Sequence, residues 1–114
     1  KKGISMEFTI PYTPEQNGVA ERMNRTILDK ARAMRLGSNL PKNMWNEIVQ
    51  TAVYLINRSP TSAVENKTPA EMWYNEKPDV SKLRTFGCIA YLHVPAEKRK
   101  KLDPKCQKLI MIGY

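Results

Sequence analysis

The hydrophobic repeat of this chain changes its period once. From residue 18 to about 58 the apolar side chains recur every three or four residues. From residue 83 they alternate one by one. The first spacing places them on one side of a helix, and the second on one face of a strand. Helical segments followed by strand segments, without alternation, point to the α+β class.

The helical part divides in two. Val19, Met23, Ile27, Ala31 and Met34 form one stripe and predict a helix over 18–36, buried along that stripe and ended by Gly37. A second helix is expected over 41–58, with Asn39 as its cap and Pro41 in its first turn. Its apolar face runs through Met44, Trp45, Ile48, Val49, Ala52, Val53, Leu55 and Ile56. That face is broad enough for two neighbours.

Ahead of these helices, residues 6–10 (MEFTI) read as a short strand that Pro11 and Pro14 terminate. TPEQNG, residues 13–18, reads as a loop with an Asn17-Gly18 turn. Behind them, residues 61–82 are a connector carrying one short helix, 68–75. Thr68-Pro69-Ala70-Glu71 is a capping box with proline at the first helical position. Cys88 to Val94 alternate as a strand, and QKLIMIGY, residues 107–114, as another. Two strands make a poor fold alone, and a strand at the last residue suggests a chain cut within a domain.

The 114 residues carry 19 Lys and Arg against 11 Asp and Glu, a formal charge of +8. That excess favours an acidic partner, nucleic acid first. No apolar run is long enough for a membrane span, and no signal peptide is visible. Two cysteines are too few for a disulfide scaffold and suit a reducing compartment. Cys88, His93 and Cys106 could be imagined as a zinc set, but their spacing is wrong for one. The stretch 97–105 (EKRKKLDPK) reads either as a localisation or nucleic-acid patch, or as a lysine-protected hairpin loop. Trp45, Tyr54 and Trp73 read as core residues by their helical spacing, with base stacking as the other reading.

Glu21 invites two readings. From it, helical steps of three, four, seven and eleven reach Asn24, Arg25, Leu28 and Arg32, and Arg35 extends the row. The row lies away from the apolar stripe. An acid in the first turn of a helix complements its dipole, and it pairs favourably with a base four residues on. The same acid could instead hold a divalent metal against a phosphodiester while the bases grip flanking phosphates.

YTPEQNGVAERMNRT, residues 12–26, resembles the last catalytic segment of retroviral and retrotransposon integrases, and more narrowly of the copia group. AVYLINRSPT (52–61), KTPAEMWYNEKP (67–78), LRTFGCIAYLHVP (83–95) and KLDPKCQKLIMIGY (101–114) resemble later segments of copia-type polyproteins in the same order. The resemblance implies an α+β chain. Residues 1–60 would be the C-terminal part of an RNase H-like core, a strand and then two long helices. Residues 83–114 would be the first strands of a small SH3-like β-barrel.

In that family the glutamate is the third acid of an Asp, Asp, Glu triad that binds two metal ions, Mg²⁺ or Mn²⁺. Glu21 takes its place as catalytic residue and metal ligand. Tyr12, Gln16 and Asn17 match the active-site loop, and Asn24 and Arg25 match helix positions that contact element DNA. Arg32 and Arg35 join them only by sharing the face.

The implied activity is DNA integration, with 3′-end processing and strand transfer. The implied partners are element and target DNA, in a homo-oligomer, with neither membrane nor small-molecule substrate. The setting would be intracellular, in nucleus and virus-like particle. The twenty residues before Glu21 contain no Asp, and their acids are Glu7 and Glu15. The chain by itself is therefore expected to hold no stable metal and to catalyse no strand transfer. The other expectation is a remnant or domesticated DNA-binding or interaction module.

Overall fold

The computed structural model describes residues 3–114, apart from the side chain of Gln16. Two helices form the centre. Helix α1 spans Gly18–Ser38 and α2 spans Trp45–Asn57. They pack where the C-terminal half of α1 meets α2, around Ala31, Ile48 and Ala52, all 0% exposed. Two alanines at this contact let the helix backbones approach, and Ile48 fills the space between them. Met34, Leu40, Met44, Trp45 and Val49 close the rim, and Phe86 reaches it from the far end of the chain.

The predicted stripe on α1 is half realised. Ala31 is buried and Ile27 and Met34 are half-buried, but Val19 is 72% exposed and Met23 46%. An amphipathic stripe is buried only along the length its partner covers, and α2 spans 13 residues against 21 in α1. Gly37 does not end α1. The helix runs one residue further, and Asn39 closes it in the left-handed conformation at φ 59°. Asparagine tolerates that conformation as a helix C-cap. Asn39 is therefore the stop of α1 rather than the cap of α2. The second helix starts later than expected, because Lys42–Met44 form a 3-10 turn behind Pro41.

The strand expected at 6–10 is absent. A strand needs a neighbour to receive its backbone hydrogen bonds, and the described residues offer none there. Phe8 is 86% exposed and Ile10 62%.

Helix α3, Pro69–Tyr74, forms as its capping signal predicts. The Thr68 hydroxyl accepts from the Glu71 amide at 3.0 Å, and Asn75 closes the helix. Before it, Thr61 and Lys67 form an isolated bridge around a 3-10 turn at Ser62–Val64. Trp73 on α3 is 83% exposed, which overturns its reading as a core residue, whereas Trp45 and Tyr54 are half-buried. In six residues of helix one face packs, and Ala70 takes it.

Strands β1 (Ile89–His93) and β2 (Cys106–Ile110) pair antiparallel, with Ile89 opposite Ile110 and His93 opposite Cys106. The charged stretch between them is a hairpin loop, tightened by the Asp103 carboxylate accepting from the Lys100 amide at 2.9 Å. The second strand stops at Ile110 rather than running to Tyr114. The last four residues leave the ladder and pack on α2. There the Thr51 hydroxyl meets the Ile112 carbonyl at 3.1 Å and the Tyr114 ring stacks on Tyr54. Both cysteines are free thiols.

Candidate metal- and nucleic-acid-binding face

The face begins in the turn that feeds α1. Pro11 and Tyr12 form a turn, with Tyr12 left-handed at φ 62° and its ring fully exposed. A bulky residue in that conformation is strained by about 1–3 kcal/mol, a feature concentrated at functional sites. A 3-10 turn over Pro14–Asn17 then runs straight into the helix, and Gly18 donates its amide to the Glu15 carbonyl. Asn17 precedes the helix but makes no side-chain cap, so its amide group remains exposed to solvent. Gln16 falls outside the described side chains.

Glu21 stands in the first turn of α1 and is exposed. Asn24, Arg25 and Arg32 follow it, exposed, and Arg35 is half-buried in the last turn. One uninterrupted helix thus carries the acid and the bases on one row. Leu28, 38% exposed, is its apolar member.

Among the described residues Glu21 forms no ion pair with Arg25. The ion pair of α1 joins Arg32 Nη1 and Asp29 Oδ1 at 3.3 Å, both side chains more than half exposed. The described residues contain no group of three or more His, Cys, Asp and Glu that could hold a metal ion. One exposed carboxylate is a poor Mg²⁺ site by itself, so the donor set present does not fit a resident metal. The Cys88, His93 and Cys106 set fails the same test, although His93 and Cys106 face each other across the hairpin.

Two features at the other end of α2 went unread in the sequence. The Arg58 guanidinium lies 3.5 Å over the Tyr54 ring, a contact that the four-residue step on a helix could have suggested. Tyr114 stacks on the same tyrosine at 5.4 Å, and no local pattern announces that partner. Burial pushes the Tyr114 phenol above its ordinary value, with Cys88 and Tyr54 adding to the shift.

Residues 2–69 match the model of an integrase core domain family, and residues 88–114 that of the retroviral polymerase SH3-like domain. The chain is 53% identical over 112 residues to a retrovirus-related Pol polyprotein from transposon TNT 1-94 of Nicotiana tabacum. That alignment covers 98% of this chain and 8% of the relative. Identity to the Pol polyprotein of transposon RE1 of Arabidopsis thaliana is 36% over the same shares of both chains. An uncharacterised mitochondrial protein of Arabidopsis thaliana is 41% identical over 86 residues, 75% of this chain and 69% of that one. No solved structure matches. No described helix is long and apolar enough to cross a membrane. The two family matches, in this order along one chain and shared with plant transposon polyproteins, place the protein in the copia-type retrotransposon integrase family.

Proposed function

We propose that this segment serves DNA integration, with Glu21 as one carboxylate of the integrase metal site and the basic row of α1 as a DNA contact. The observation that carries the reading is the position of Glu21. It sits exposed in the first turn of a helix within the integrase-core match, at the head of a row holding Asn24, Arg25, Arg32 and Arg35. Tyr12, Gln16 and Asn17 belong to the loop beside it, and the strained turn at Tyr12 supports that assignment. Membership in the family implies a divalent metal in the intact enzyme. These 114 residues supply one acid toward it, so the remaining acids come from elsewhere in the polyprotein. The intact protein would assemble as an oligomer and act in virus-like particle and nucleus, where element ends meet target DNA.

The test has two arms. Affinity for duplex DNA is measured against salt for the chain and for Arg25→Ala/Arg32→Ala. Each phosphate contact adds roughly 0.9 to the slope of log affinity on log salt, so two lost contacts lower it by about 1.8. An unchanged slope removes these arginines from the interface. In the second arm, the 114-residue chain with Mg²⁺ or Mn²⁺ joins no DNA ends, and strand transfer by it overturns the incomplete-donor reading.

A second reading takes such a segment as a basic DNA-binding or interaction module without catalysis. The Arabidopsis mitochondrial relative favours it, because the aligned region makes up 69% of that protein. An open frame encoding two suitably placed Asp residues upstream of Lys1 decides for the enzyme.

A further inference from the structure

The base of the hairpin meets the helices at three places. At the first, Gly87 lies against Ser38 at the end of α1. A Cβ on Gly87 would stand 2.4 Å from the Ser38 Cβ and 3.1 Å from its Cα, and Gly87 has φ +82°. Only glycine fits both the approach and the backbone. At the second, the buried Thr51 hydroxyl lies 2.8 Å from the Glu47 carbonyl and 3.1 Å from the Ile112 carbonyl. It has one hydrogen for two acceptors, one in its own helix and one from the chain's last residues. At the third, the Tyr114 ring stacks on Tyr54 at 5.4 Å and 24°, Arg58 lies over Tyr54, and the Tyr114 hydroxyl donates to the Arg84 carbonyl. Hydrogen bonds from Gly87 to Met111 and from Met111 to Cys88, each 2.9 Å, knit the same base together.

The other end of the hairpin is its charged loop. Lys98, Arg99, Lys100, Lys101 and Lys105 outweigh Glu97 and Asp103 there. Were the hairpin only tethered, the chain between Asn57 and β1 would let this loop wander. A tethered group acts at an effective concentration set by the length of its tether, and a seated one is held in place.

We propose that these contacts form a seat, with Tyr114 as its positioning residue, which fixes the basic hairpin loop relative to α1 so that loop and helix row grip nucleic acid together. The proposal rests on the DNA-binding reading above and adds a second, mechanically coupled contact to it. Its chemical class of ligand is the phosphate backbone of a duplex, met without base readout.

The test compares the chain with Tyr114→Ala, Tyr114→Phe, Lys100→Ala/Lys101→Ala and the combination of Tyr114→Ala with the lysine pair. Amide exchange at Gly87 and Met111 reads the seat, and fluorescence anisotropy with a short duplex reads binding. Tyr114→Ala speeds exchange at both amides and weakens DNA binding about tenfold, and in its background the lysine substitutions lose most of their effect. Tyr114→Phe keeps the stacked ring and restores binding to within about twofold. Thr51→Val, which removes only the hydroxyl, acts in the same direction with a smaller loss. Circular dichroism confirms that α1 and α2 persist in each variant. The proposal is overturned by a Tyr114→Ala chain that retains its helices and binds DNA like the parent, with the lysine effect undiminished. It is equally overturned by Phe and Ala behaving alike. An unchanged salt slope in Arg25→Ala/Arg32→Ala sinks the DNA reading instead, and the exchange rates at Gly87 and Met111 then still decide the seat.

Discussion

Ile48→Ala should remove much of the stability of the helix pair. Ile48 is the one large side chain that is fully buried among the described residues, and its neighbours Ala31 and Ala52 are equally inaccessible. The substitution deletes three carbons, worth about 2.4 kcal/mol at roughly 0.8 kcal/mol each. It also leaves a void of roughly 80 Å³, which at about 24 cal/mol per Å³ adds up to about 2 kcal/mol if nothing collapses into it. Alanines cannot reach into the gap, and only Met34, Met44 and Val49 at the rim can shift. Partial filling by these chains brings the expected loss to about 3 kcal/mol. A chain of this length has a total stability on the order of 6–17 kcal/mol, so the loss is a large fraction. Urea unfolding of the full chain, followed by the helical circular dichroism band, measures it. Leu36→Ala is the comparison, because Leu36 lies on α1 and is 69% exposed, and its loss stays under about 0.5 kcal/mol. Equal losses for the two variants would refute the assignment of the core to the α1–α2 contact.

Three further outcomes follow from single contacts. Thr68→Ala removes the hydroxyl that accepts from Glu71, costs about 1 kcal/mol and raises amide exchange in α3 while leaving α1 unaffected. Asp29→Asn breaks the pair with Arg32, yet both partners are exposed, so the urea midpoint shift corresponds to less than about 0.5 kcal/mol. The raised phenol of Tyr114 makes the seat alkali-sensitive. Its folded value lies above the ordinary 10.0, so its contribution is fully present below that pH and is lost as pH rises through the folded value. Urea midpoints of the chain should therefore fall on that rise relative to those of Tyr114→Phe, and parallel curves would contradict the burial of the phenol.

What the sequence made legible was local. The change of period located the helices and the hairpin, and the Thr68 box announced α3 with its cap. What it could not convey was which stretches of an apolar stripe find a partner. Val19 and Ala31 stand on one stripe of one helix, but only Ala31 meets α2. The alternation at 6–10 was equally regular, and no ladder forms there because pairing depends on a second strand. Gly37 and Asn39 were both competent to end α1. The choice fell to Asn39, two residues on, within the ±2 residues that fraying makes hard to foresee. Tyr114 shows the opposite failure. Its strand-like surroundings hid a long-range stack that removes it from the ladder altogether.

The candidate site was legible for a different reason. Nothing local separates Glu21 from the acid that begins many helices: it is exposed, in the first turn, and followed by bases. The order of five family-like segments made the separation, and the structure adds a physical contrast to it. Two acids lie on α1. Asp29 is engaged by Arg32 at 3.3 Å, while Glu21, with Arg25 one turn away, has no ion pair among the described residues. A carboxylate that must give its oxygens to a cation is best left without a standing guanidinium partner, because that partner would have to be displaced before a metal could bind. Asp29 is spent on the helix surface. Glu21 stays available at the end of the helix where the dipole already favours negative charge and where the strained Tyr12 turn brings the loop alongside. The bases further along the row lie too far down the helix to neutralise it, and they remain available for phosphates. The division of labour along α1, acid at its start and bases beyond, is thus what a site for a metal-bound phosphodiester requires of one helix.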